Sequence, residues 1–130
     1  MLLGFPSRLE SIGTGDGGPP MIKRIWHGWT THENADRYFG ILTDTVIPGI
    51  EAKTIPGYLG IEVLRRDLTD EVEFKTIMSF RSIEDVIAFQ GLNYARSHVP
   101  GAAQEVLKRW DQTAEHYEFL LSRNAAGAMT

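Results

Sequence analysis

The chain has 130 residues, of which 42% are hydrophobic and 23% charged, so it has room for one globular domain with a substantial core. Its net charge of −4 and its lack of a basic patch argue against a nucleic-acid partner, because phosphates need clustered cations to neutralise them. The absence of cysteine excludes disulfides and thiolate sites and suits the cytoplasm, and no apolar run approaches the roughly 18 residues that a membrane span needs.

Residues 1–20 are predicted to be a flexible tail, because glycines crowd residues 13–18 and two prolines follow them. The glycines match the pattern G-x-G-x-x-G, but a phosphate-binding loop needs a helix after it, and the prolines stand there instead. We expect the folded domain to cover residues 21–121 and a second short tail to cover residues 122–130.

Residues 21–29 predict the first and central strand, because β-branched and aromatic side chains alternate with polar ones and proline is absent. The strand carries His27 between two tryptophans. Residues 30–33 (Thr-Thr-His-Glu) match a capping box, which predicts a helix start. The helix that follows has apolar residues at helical spacing, and Pro48 with Gly49 should kink or end it. Its predicted apolar face consists of Ala35, Tyr38, Phe39, Leu42, Val46 and Ile50.

A β-hairpin is predicted from residue 58 to residue 80, with a polar turn at residues 67–70. Leu59, Ile61 and Val63 should share one face of its first strand. Ser82 is the N-cap of a second helix with acidic residues in its first turn, and Gly91 is its expected end.

The last part of the chain predicts a short helix followed by a strand. Residues 102–110 have apolar side chains at helical spacing, and residues 113–121 alternate between apolar and polar side chains.

The element order predicts an α+β, ferredoxin-like βαββαβ fold, with a four-stranded antiparallel sheet covered by helices on one face. Large side chains fall on both faces of the first and last strands, and helices can cover only one face. An apolar face left bare usually marks an interface, so we expect a second copy of the chain to cover it.

Four segments resemble the antibiotic biosynthesis monooxygenase family: residues 25–28 (Ile-Trp-His-Gly), 58–66, 78–89 and 115–118 (Glu-His-Tyr-Glu). The resemblance covers about residues 21–121. It implies a dimeric α/β barrel, in which two ferredoxin-like subunits pack sheet against sheet.

The histidines are the candidate catalytic residues. If the last strand lies antiparallel beside the first, His27 and His116 could lie close together and relay protons near neutral pH. Each could instead be a hydrogen-bonded structural histidine. His98, in the loop after the second helix, is a further candidate. No spacing of histidines and carboxylates favours a metal site.

The resemblance also suggests substrate-binding residues. In the polyketide-oxidising branch of the family, the cavity roles would fall to Trp29, Tyr58, Tyr94 and either Arg65 or Arg96. The heme-degrading branch of the family uses an asparagine, a tryptophan and a histidine. The matching positions of this chain hold His27, Phe89 and His98.

The favoured function is that of a cofactor-independent monooxygenase, acting on a small aromatic or electron-rich substrate in a cavity between sheet and helices. No cofactor is expected. The alternatives are a non-catalytic dimeric protein that binds a small hydrophobic ligand, and a heme-binding or heme-degrading protein.

Overall fold

The computed structural model describes residues 20–125, in which one sheet carries all the helices on a single face. The strands are β1 (Ile22–Thr30), β2 (Tyr58–Asp67), β3 (Val72–Phe80), β4 (Leu107–Trp110) and β5 (Glu115–Glu118). The helices are α1 (Ala35–Ile41), α2 (Ile47–Ala52), α3 (Ile83–Gln90) and α4 (Gly101–Gln104), and a π-helical turn (Leu42–Val46) joins α1 to α2. The predicted N-terminal tail, except Pro20, and residues 126–130 of the second tail lie outside the described residues.

β1 is the central strand of the sheet. One of its edges pairs with β3 in an unbroken antiparallel register, and β2 pairs with the far edge of β3. Its other edge pairs with β4 at residues 28–30 and with β5 at residues 22–25. The order β2-β3-β1-β4/β5 confirms the α+β, ferredoxin-like fold, and the sheet of the single chain is open.

The fourth position of the sheet differs from the prediction, because two short strands share it. Residues 102–110 were expected to be helical, but α4 ends at Gln104 and β4 begins at Leu107. The expected last strand, residues 113–121, shortens to β5. A short apolar run fits a helix or a strand equally well, and here pairing with β1 satisfies the backbone of β4.

The predicted capping box at residues 30–33 is wrong. Thr30 belongs to β1, and its hydroxyl donates a hydrogen bond to the carbonyl of Val106. The hydroxyl of Thr31 instead accepts the N–H of Asn34, with 3.1 Å between the two atoms, and α1 begins at Ala35.

The first helix was expected to kink or end at Pro48; it does not end there, and its α-helical geometry is interrupted directly before that residue. The π-helical turn lies directly before α2, in which Pro48 occupies the first turn. A proline ring clashes with the carbonyl four residues earlier, and the wider π turn relieves that clash. The predicted apolar face is wrong at Phe39, which is 47% exposed, whereas its neighbour Tyr38 is buried.

The hairpin forms as predicted, with one difference at Leu59. The register between β2 and β3 shifts between Tyr58 and Gly60, so a bulge places Leu59 at the surface rather than beside Ile61. In α3 the predicted cap is confirmed, because the Ser82 hydroxyl accepts the N–H of Asp85.

Two core clusters lie between the sheet and the helices. One contains Ala35, Tyr38, Leu42, Val72, Phe74, Ala103, Val106 and Leu107. The other contains Ile22, Met78, Phe80 and Val86. They occupy opposite ends of β1 and β3, so the middle of the sheet lies between them. Within residues 20–125, no helix is long and apolar enough to cross a membrane.

The two phenylalanines Phe74 and Phe39 give a matched test of this core. Phe74 is 1% exposed and packs edge-on against Tyr38, so Phe74→Ala should lower the free energy of unfolding by about 3–5 kcal/mol. The same substitution at the exposed Phe39 should cost less than about 1 kcal/mol. Urea denaturation of both variants measures the difference, and equal losses would contradict the assigned core.

Candidate functional site

A cavity of about 270 Å³ lies between the middle of the sheet and the helices. Most of its lining is apolar and comes from β1, β2, β3, the helices and the turn between α1 and α2, including Trp26, Tyr38, Ile61, Met78, Phe89 and Ala103. The polar side chains in its lining are Arg24, Thr45, Lys53, Thr76, Gln90, Ser97 and His98. An apolar cavity with a few polar groups is the usual form of a small-molecule site.

The two-residue period of β1 places Arg24 and Trp26 in this cavity. Gly28 makes room for the indole, because a Cβ at Gly28 would lie 2.7 Å from a ring carbon of Trp26. The indole N–H donates to the carbonyl of Asp111 at 2.9 Å, which fixes the ring. An aromatic wall is therefore built into the central strand.

Arg24 is only 5% exposed. Its guanidinium donates to the carbonyl of Tyr94, to Nε2 of His116 at 2.9 Å and to the carbonyl of Arg96 at 3.4 Å. Burial lowers the pKa of Arg24 to about 10, so the group stays charged at neutral pH. No carboxylate within residues 20–125 lies at ion-pair distance from it.

His116, on β5, is hydrogen-bonded to the guanidinium of Arg24. A guanidinium can only donate hydrogen bonds, so Nε2 of His116 must accept, and the neutral ring carries its proton on Nδ1. The edge of the ring contacts Tyr94, with 5.1 Å between the centroids. Burial and, secondarily, the charge of Arg24 lower the pKa of His116, which favours this neutral form.

His27 and Trp29 lie on the opposite face of the sheet, away from the helices. Nδ1 of His27 lies 2.8 Å from Oδ2 of Asp111, and its ring stacks on Trp29 with 5.9 Å between the centroids. The expectation that His27 and His116 meet is wrong. His116 stands opposite Arg24 in the pairing of β1 with β5, and residues 24 and 27 of one strand face opposite sides.

The other predicted site residues are divided between the cavity and its surroundings. Phe89 and His98 line the cavity, and the carbonyl of Tyr94 accepts a hydrogen bond from Arg24. Tyr58 packs on Phe80 in the second core cluster.

Arg65 lies at the surface, where it pairs with Asp67 and Asp36. Of the two arginines considered for the cavity, Arg96 contributes only its carbonyl near the site, through the bond from Arg24.

Arg24, the most buried charged group of the site, was not among the residues predicted from the sequence. The available signal was the two-residue period of the first strand, which places Arg24 on the same face as Ile22 and Trp26. Among the described residues, no three histidine, aspartate or glutamate side chains are grouped closely enough to hold a metal ion.

The chain is similar in structure to three solved proteins that carry a provisional assignment as antibiotic biosynthesis monooxygenases. The Bacillus cereus protein has 15% sequence identity and a TM-score of 0.55 over 82% of this chain and 99% of its own. The Nitrosomonas europaea protein has 12% identity and a TM-score of 0.53, over 79% and 93%. The Chloroflexus aurantiacus J-10-fl protein has 19% identity and a TM-score of 0.52, over 80% and 97%.

These similarities confirm the family resemblance at the level of the fold. No protein-family model matches the sequence, and a search of curated proteins gives no match either. The activity therefore has to be argued from the cavity itself.

The contact between His116 and Arg24 predicts a pH effect on stability. The pKa of His116 is lowered from 6.5 in the fold, so the unfolded chain binds more protons around and below that pH, and stability decreases as the pH is lowered. Between about pH 7.5 and about pH 5.5, the melting temperature should fall by a few degrees more for the native chain than for His116→Gln.

In that variant a non-titrating amide oxygen accepts from Arg24, and the charged and titratable groups around it, Arg24 and Tyr94, are unchanged. Parallel melting curves of the two proteins across this pH range would contradict the assignment.

Proposed function

We propose that the protein is a cofactor-independent monooxygenase that oxidises a small aromatic or electron-rich substrate in the cavity between sheet and helices. The observation that carries this proposal is the apolar cavity, which has Trp26 and Phe89 in its walls and the exposed His98 where it meets solvent. The shared fold supports the proposal, because the similar proteins are assigned to a family of monooxygenases.

The reaction needs no cofactor if the substrate supplies the electrons. A base removes a proton from an activated CH₂ group, and the carbanion that forms delocalises into the aromatic system. Its electrons reduce dioxygen, a C–O bond forms, and protonation gives a hydroperoxide. Loss of water then breaks the O–O bond and the second C–H bond. The CH₂ group and O₂ thus become a carbonyl group and one water molecule.

His98 is the proposed base, because its imidazole lines the cavity. His116 is the proposed positioning residue for Arg24, since its Nε2 already accepts a hydrogen bond. The apolar walls serve to exclude water, which would otherwise protonate the carbanion before it meets dioxygen.

We also propose that a second copy of the chain covers the open face of the sheet and completes a dimeric barrel. Ile25 and Ile77 are paired at the middle of this face, and Tyr117 is 51% exposed on it. Ion pairs between Arg109 and Glu71 and between Arg66 and Glu73 lie at one end of this face, near Trp29. Apolar side chains at the centre of a surface and charged ones toward its edge are typical of a protein interface.

Oxygen uptake with an anthrone-type or quinol substrate tests the proposed reaction. His98→Ala should lower kcat by about 10²–10⁴-fold, as loss of a general base does. His32→Ala is the matched control, because His32 is exposed and its ring contacts the loop carbonyls of Leu68 and Thr69, away from the cavity lining. Turnover by this variant should be unchanged.

Loss of turnover in His27→Ala but not in His98→Ala would contradict the assignment, since it would move the base to the other face of the sheet. Substrate binding without oxygen uptake by the native chain would favour a non-catalytic binding protein.

Sedimentation velocity tests the proposed dimer. Ile77→Lys places an unpaired charge at the centre of the open face and should raise the dimer Kd by at least about 100-fold. Leu92→Lys, at a loop residue that is 87% exposed, should leave the dimer intact. A native chain that sediments as a single subunit at micromolar concentration would overturn this proposal.

A further inference from the structure

We propose that the ligand of this cavity is a small aromatic carboxylic acid, bound as its carboxylate by the guanidinium of Arg24. The inference rests on the proposed function only in using the same cavity, and it specifies the class of substrate. It follows from the charge, hydrogen bonding and surroundings of Arg24.

The charge of Arg24 is not balanced by a carboxylate within residues 20–125. A buried cation costs several kcal/mol unless an anion pairs with it, and the described chain offers Arg24 only carbonyl oxygens and a neutral imidazole. Nearby acids are engaged on the other face of the sheet, where Asp111 pairs with His27 and Glu73 with Arg66. Residues 20–125 do not supply the negative charge, and we infer that a bound molecule does.

The hydrogen-bond donors of Arg24 are not all used within the described chain. A guanidinium has five N–H groups, and the described residues accept two from Nη1 of Arg24 and one, at 3.4 Å, from Nη2. The Nε–H and the second N–H of Nη2 have no acceptor among residues 20–125. Neighbouring N–H groups of this kind bind the two oxygens of a carboxylate in the bidentate arrangement that arginine favours.

The apolar side chains around Arg24 indicate that the rest of the ligand is apolar and aromatic. The guanidinium carbon of Arg24 lies 5.8 Å from the centre of the Phe89 ring, and Trp26 and Met78 also line the cavity. A volume of about 270 Å³ is at the small end for ligand cavities, so one or two fused rings fit better than a larger body.

Lys53 is the only other cation in the described lining, and it is a weaker candidate. Its side chain is exposed at the edge of the cavity, where Nζ donates to the carbonyl of Phe89 and lies over that ring. An exposed ammonium keeps its hydration, so it gains little from pairing with a carboxylate. It serves as the matched control.

Isothermal titration calorimetry with 2-naphthoate and 2-naphthamide tests the inference on the native chain. The two ligands have the same rings and differ in charge. We expect the carboxylate to bind at least about 30-fold more tightly, as a charge-assisted bidentate pair implies. Arg24→Gln should reduce naphthoate affinity to that of the amide and leave amide affinity unchanged, whereas Lys53→Gln should keep the preference for the acid.

Equal affinity of the native chain for acid and amide, or no binding of either, would overturn the inference without any variant. A preference for the acid that is lost in Lys53→Gln and kept in Arg24→Gln would do the same. These measurements involve no turnover. Acid-selective binding without oxygen uptake would therefore contradict the proposed monooxygenase activity and support the carboxylate site. Oxygen uptake without a preference for the acid would support the monooxygenase activity and contradict the carboxylate site.

Discussion

The pairing of β1 on both edges is the constraint on which the rest of the structure depends. Because β3 occupies one edge and β4 and β5 share the other, the register of β1 is held at both edges of the strand. A strand held in this way presents alternate side chains to opposite faces. Arg24 and Trp26 therefore lie in the cavity, and His27 and Trp29 lie on the open face.

The site is consequently organised by one buried charge rather than by a pair of histidines. Arg24 is held by a carbonyl on the loop after α3 and by His116 on β5, so the two segments are joined through the guanidinium. Replacing such a group with an apolar one is often neutral or stabilising in proteins. An arginine at this position, among aromatic side chains and without a carboxylate in the described chain, is therefore better explained by binding than by stability.

The open face has a different chemistry, in which half-buried carboxylates pair with exposed basic side chains. Hydrogen bonds from Arg109 and, to a smaller extent, Lys108 hold the pKa of Glu71 at about 2, so this carboxylate stays ionised at neutral pH. Arg109 also lies over the Trp29 ring, with 4.3 Å between the guanidinium carbon and the ring centre. This pattern suits a protein interface, whereas the cavity on the other face suits a small ligand with apolar rings and one negatively charged group.

The sequence by itself determined the α+β class, the central strand, the hairpin and the Ser82 cap, because periodicity and capping act within a few residues of the chain. The boundary of β4, the bulge at Leu59 and the exposure of Phe39 depended on pairing and packing with distant segments, which local patterns do not encode. The composition of the candidate site also depended on contacts between distant segments. Arg24 meets Tyr94 and His116 across 70 and 92 residues of chain; the register of β1 with β5 places His116 opposite Arg24, and the loop after α3 brings the carbonyl of Tyr94 to it.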